Sequence, residues 1–132
     1  MKRIVLEASA LMTFFHDRPG AEKVEQVMKV AVERKRKLYF SVVNWGEVYY
    51  SVWRANGQAS ARQIATEISQ LPIEIVDADL ELTRSAAAFR AQHKLPYADC
   101  FAAALARAMK AELLTSDRDF SLVGRQVDVT LI

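Results

Sequence analysis

The sequence predicts an α/β protein, a parallel sheet of about five strands covered by helices on both faces. Three observations lead there. Short apolar runs recur along the chain, and the segments between them carry apolar residues at helical spacing. Within the runs consecutive residues are apolar, as in strands buried on both faces. No internal repeat, low-complexity tract or long linker breaks the alternation, so the 132 residues are expected to form one three-layer α/β/α sandwich, residues 1–132.

Arg3 to Leu6 is the first strand. Ala8 to His16 is helical, with Leu11, Met12, Phe14 and Phe15 apolar, and Asp17-Arg18-Pro19-Gly20 is a turn. Ala21 to Arg36 is an amphipathic helix, because Val24, Val27, Met28 and Ala31 share one face. Its closing run, Arg34-Lys35-Arg36-Lys37, either complements the helix dipole or contacts RNA. Leu38 to Val43 is the second strand, and Asn44 to Ala55 a helix closed by Asn56-Gly57. A helix over Ala59 to Gln70, a strand over Ile73 to Val76 and a helix over Asp79 to His93 follow. Pro96 to Ala111 is apolar nearly all round in its first half, which marks a helix packed in the core. Leu113 to Thr115 is the fourth strand, Asp119 to Leu122 a short helical turn, and Val127 to Ile132 the last strand.

Composition narrows the function. Apolar residues at 52% and charged residues at 26% exclude a disordered or fibrous chain. One cysteine excludes an intrachain disulfide and a cysteine zinc cage. No apolar run is long enough to span a membrane, and the start has too few apolar residues for a signal peptide, so a cytoplasmic protein is expected. A net charge of +2 neither announces nor excludes nucleic-acid binding. With two histidines, any metal site leans on carboxylates.

In open α/β sheets, ligands bind outside the carboxyl ends of the strands. Glu7 follows the first strand, Glu47 lies in the first turn after the second, and Asp99 lies in the first turn of the apolar helix. Asp117 follows the fourth strand, with Asp119 two residues on. Each has a plain structural explanation. Asn44 and Glu47 have capping-box spacing, Asp117 can cap the short helix, Asp99 gains from a helix dipole, and Glu7 can be a polar strand end. Together they bring four or five carboxylates to one end of one sheet, with Arg118 the only cation among them. Such repulsion calls for a divalent cation, and all-oxygen ligands point to Mg²⁺ or Mn²⁺, which suit phosphodiester hydrolysis.

Four segments carry a resemblance. They are Val5-Leu6-Glu7-Ala8-Ser9-Ala10-Leu11, Asn44-Trp45-Gly46-Glu47-Val48, Leu95 through Ala104 around Asp99, and Leu114-Thr115-Ser116-Asp117-Arg118-Asp119-Phe120. In order and spacing they resemble the signature segments of PIN domains, closest to the VapC toxins of toxin–antitoxin pairs. The resemblance implies a five-stranded parallel sheet, a Mg²⁺- or Mn²⁺-dependent endoribonuclease acting on single-stranded RNA, a homodimer, and inhibition by a VapB-type antitoxin. It maps the acidic cluster onto Glu7, Glu47, Asp99 and Asp117, with Asp119 as an outer member. One position departs from the pattern: members normally carry Asp where this chain has Glu7. The longer arm must fold back or push the ion, and octahedral Mg²⁺ tolerates little displacement. A catalytically weakened PIN protein that binds RNA or antitoxin is therefore the alternative reading.

Around these acids, Ser9 can orient water at the site or cap a helix, and Thr115 and Ser116 can bond a ligand carboxylate. Arg118 is an ion-pair partner or a phosphate contact. Cys100 reads as a core residue rather than a nucleophile, and His16 and His93 as surface residues at helix ends. Phe14, Phe15, Tyr49, Tyr50, Val52 and Trp53 exceed what one core face needs, which suggests either a partner surface or ordinary packing. A phosphoacceptor signalling domain would want a Lys near the last strand, and a haloacid-dehalogenase-type phosphatase an Asp-x-Asp after the first; the chain has neither.

Overall fold

In the computed structural model, which describes residues 2–132, five parallel strands form one sheet in the order β3-β2-β1-β4-β5. They are β1 (Ile4–Leu6), β2 (Leu38–Ser41), β3 (Ile73–Val76), β4 (Glu112–Thr115) and β5 (Asp128–Leu131). Helices α1 (Ala8–Phe15) and α2 (Ala21–Glu33) join β1 to β2. Helices α3 (Val42–Asn56) and α4 (Gln58–Ser69) join β2 to β3, and α5 (Leu80–Gln92) and α6 (Tyr97–Met109) carry the chain back to β4. A 3-10 helix, Arg118–Val123, leads to β5.

The two-residue period of a strand explains the two cores. Val5 and Leu113 face one layer with Phe89, Phe101, Leu105, Phe120 and Val123 from α5, α6 and the 3-10 helix. Leu6, Phe40 and Leu114 face the other with Leu11, Val24, Met28, Val48, Ile64 and Ile68 from α1 to α4. The layers follow from handedness. Crossovers between parallel strands are right-handed, so reversing the direction of travel across the sheet after β3 moves the helices to the opposite face. The reversal leaves β1 between β2 and β4, with Val5 in register with Tyr39 on one side and Leu113 on the other. The switch point lies at the carboxyl ends of β1 and β4.

Most expected boundaries shift by a residue or more, and two of the shifts have a clear local cause. The second strand ends at Ser41 rather than Val43, because the Ser41 hydroxyl accepts the Val43 N–H at 3.2 Å and starts α3 there. Asn44 therefore lies inside the first turn and is no cap, which removes the capping-box reading of Asn44 and Glu47. Helix α2 ends at Glu33 rather than Arg36. Lys35 takes a left-handed φ of 54°, and the Arg36 N–H bonds back to Ala31 O at 2.8 Å. The basic run thus sits just past the helix. Among the described residues no helix is long and apolar enough to cross a membrane.

Candidate metal centre

Glu7 is the first residue after β1, and its side chain turns back to cap α1. Its Oε2 accepts the Ser9 N–H at 3.0 Å, the Thr115 hydroxyl at 2.8 Å and the Ser9 hydroxyl. The Glu7 carboxylate thus serves the first turn of the helix it caps. All three bonds fall on one oxygen, so Oε1 remains for another partner. Around this cap the end of β4 is tied to the start of α1 and to itself. The Ser116 N–H donates to Ser9 Oγ at 2.9 Å, and the Asp117 N–H to Thr115 Oγ1 at 3.0 Å. Ser116 thus contributes its backbone, while its side chain is exposed.

Asp99 enters from α6, where Pro96 precedes the first turn and the following residues are buried. It is 5% exposed. Glu47 comes from α3 and is half-buried. Asn44 holds it: Asn44 Nδ2 donates to Glu47 Oε1 at 3.3 Å and to Ala98 O at 3.1 Å, which ties α3 to the start of α6. One carboxylate oxygen each from Glu7, Glu47 and Asp99 lies within 4.8 Å of the others. Asp117 lines the same cavity at its rim and caps the 3-10 helix, its Oδ1 accepting the Asp119 N–H at 2.9 Å. Asp119 and Arg118 are exposed on that helix and do not line the cavity. Of the five acids singled out by sequence, the fold gathers three tightly, sets Asp117 beside them and leaves Asp119 outside.

The electrostatics follow from this crowding. Burial, then Glu7, Glu47, Asp117 and Asp119, raise the Asp99 carboxyl to about 7. Burial also raises Glu7, against the opposing hydrogen bonds of Ser9 and Thr115, with Glu47 adding to the rise. Glu47 is raised by burial, against the Asn44 bond. Buried Asn44 Oδ1 accepts no hydrogen bond among the described residues. A pocket rich in oxygen acceptors, with acids that resist ionising together, fits a hard divalent cation.

A stability prediction follows. Asp99 holds its proton to about 7 in the folded chain but releases it near 3.8 when unfolded. Between those values the folded state binds more protons, so stability falls as pH rises. Without metal, the melting temperature is expected to be higher at about pH 5 than at about pH 8. Millimolar Mg²⁺ or Mn²⁺ should raise it at the higher pH. Thermal melts at both pH values, with and without metal, check this; indifference to metal counts against a cation site.

Arg18 escaped the sequence reading. It lines the same cavity as the acids, together with Met12 of α1 and Ser51 of α3. Its position in a turn gave no cue, because only the length and direction of α1 bring it there. Cys100 is buried, its thiol donating to Leu95 O at 3.6 Å and pushed up by burial, so it is a core residue. His16 caps the end of α1, and His93 Nε2 lies 3.1 Å from Gln126 Oε1. The aromatic group divides. Phe14, Phe15 and Tyr49 pack on the core and Val52 is buried within it, while Tyr50 and Trp53 are exposed.

A three-layer α/β sandwich with clustered carboxylates at its switch point defines a class of acidic-site proteins. A model of the PIN domain family matches residues 4–126, and the chain belongs to that family. No curated protein sequence matches it. Solved structures share the fold at low identity. The DNA-bound VapBC of Salmonella typhimurium aligns with a TM-score of 0.76 at 14% identity, over 98% of each chain. VapC20 of Mycobacterium tuberculosis, a Sarcin-Ricin loop cleaving toxin, aligns at 0.70 and 16% identity, over 96% of this chain and 98% of that one. A toxin–antitoxin complex from Klebsiella pneumoniae aligns at 0.66 and 19% identity, over 96% and 95%.

Proposed function

We propose that residues 1–132 act as one PIN domain, a metal-dependent endoribonuclease that serves as the toxin of a toxin–antitoxin pair. The observation that carries this is the meeting of Glu7, Glu47 and Asp99 oxygens within 4.8 Å at the switch point. Glu7, Glu47 and Asp99 would hold Mg²⁺ or Mn²⁺, with Asp117 at the rim. When bound, such an ion supplies Lewis acidity toward a phosphate and lowers the pKa of water. The chain's own residues prepare the site. Thr115 and Ser9 fix Glu7 through Oε2, Asn44 fixes Glu47 through Oε1, and the apolar start of α6 fixes Asp99. Burial of Glu7 and Asp99 keeps water from competing for their oxygens.

On this reading the substrate is RNA, the protein works in the cytoplasm as a homodimer, and a VapB-type antitoxin restrains it. The VapBC structures that share the fold support the antitoxin. Incubating total cellular RNA with the protein in Mg²⁺, Mn²⁺ or EDTA tests the proposal. Metal-dependent cleavage is expected; intact RNA under every condition overturns it. One observation favours a second reading, a weakened PIN protein acting mainly by binding: Glu7 Oε2 is spent on three hydrogen bonds. RNA binding without cleavage would select it.

A further inference from the structure

We propose that Arg18 is a flanking-phosphate subsite, which holds the RNA backbone along the groove between α1 and α3, away from the bond being cut. The inference rests on the ribonuclease reading and adds the path of the substrate. The cavity lined by Glu7 and Asp99 is also lined by Met12 of α1, Ser51 of α3 and Arg18. The eight residues of α1 separate its ends by about 12 Å at 1.5 Å per residue. The Arg18 backbone therefore lies past the end of α1 opposite to Glu7.

Two features set Arg18 apart from an ordinary surface arginine. It shares a cavity with four carboxylates, yet among the described residues none lies within ion-pair distance of it. Its backbone is also fixed. The Arg18 N–H bonds to Thr13 O at 3.0 Å, and its carbonyl accepts the Ala21 N–H at 2.9 Å. Asp17 and Gly20, on either side, take φ of 49° and 100°. A Cβ at Gly20 would meet the backbone of Ile132 at 2.9 Å, so the turn is wedged against the end of β5. A guanidinium on a fixed turn over an acidic groove, without a carboxylate partner, suits an anion that enters the groove. Phosphate is the anion that RNA brings there, and Arg can bind it through two parallel N–H bonds.

The test pairs RNA binding with cleavage. Fluorescence anisotropy of a labelled single-stranded RNA is measured against salt for the unmodified protein, Arg18→Ala, Arg18→Lys and the control Arg62→Ala, an exposed arginine on α4 outside the cavity. Arg18→Ala is expected to weaken binding several-fold and to lower the salt slope by about 1. Arg18→Lys should restore the slope, and Arg62→Ala should change neither. In cleavage, Arg18→Ala should raise KM with little change in kcat, and the penalty should vanish on a dinucleotide too short to reach the turn. Equal binding and slope for Arg18→Ala and Arg62→Ala overturn the proposal, and so does a penalty of the same size on the dinucleotide. Absence of cleavage by the unmodified protein counts against the nuclease reading, while a binding loss confined to Arg18→Ala still upholds the subsite. An unmodified protein that binds no RNA overturns both.

Discussion

Asp99→Asn is expected to abolish metal-dependent RNA cleavage, a loss on the order of 100-fold or more, as when a charge-stabilising group leaves an active site. The side chain is buried at the start of α6, close to Glu7 and Glu47, so its replacement removes one of the three clustered candidate ligands. Structure should survive, because Asn fills the same space and carries no charge, removing both the cost of burying a carboxylate and the repulsion from its acidic neighbours that together raise Asp99 to about 7. The metal-free variant should melt no lower than the parent at about pH 8 and lose most of the parent's gain in stability on acidification. Added Mg²⁺ should also raise its melting temperature less. Cleavage rates and melts of both proteins check these points together. Normal cleavage by Asp99→Asn would sink the assignment.

Glu7→Asp should act in the opposite direction and speed cleavage. Asp is among the strongest helix caps, so the shorter arm can still accept the Ser9 N–H and keep α1 in place. What changes is where the other oxygen sits. Leu6 and Ala8 are buried on either side, and the close-packed centre of the sheet cannot shift to suit a longer arm. A displacement of about 1 Å at a reacting group can cost on the order of 100-fold in rate. The rate on one RNA at saturating Mg²⁺ and Mn²⁺ measures the effect. Mn²⁺ should narrow the gap between the two proteins, since it accepts looser coordination. If Glu7→Asp is no faster with either metal, Glu7 is a fully competent ligand and the geometric argument fails.

Much of this architecture was legible in the sequence because hydrophobic spacing reports burial directly. Val5 and Leu6 are apolar neighbours because β1 is covered on both faces, and the run from Cys100 to Ala106 is apolar because α6 is enclosed. The strand ends were legible too, and they put the acids at one end of the sheet. Spacing could not rank those acids. Asp117 and Asp119 differ by two residues, yet one lines the cavity and the other faces solvent, because the 3-10 helix begins between them. The start of α3 was hidden for a related reason. Val42 and Val43 suit a strand as well as a helix, and a single hydroxyl, that of Ser41, decides between them. Arg18 depends on the three-dimensional course of α1, and no local pattern encodes that.

The pairing of β1 with β4 has a consequence for synthesis. β1, which leads into Glu7, is made well before its neighbour on one side, which starts at Glu112, and Thr115, which holds Glu7 in place, lies 108 residues downstream. Such distant contacts must wait for the intervening chain and form late in folding. A nascent polypeptide still threaded through the ribosome can build the β2 side of the sheet while the carboxylate cluster lacks Asp99 and the clasp on Glu7. For an enzyme that cuts RNA as proposed, the chain is harmless to the message that encodes it until residues through Thr115 have been made and folded.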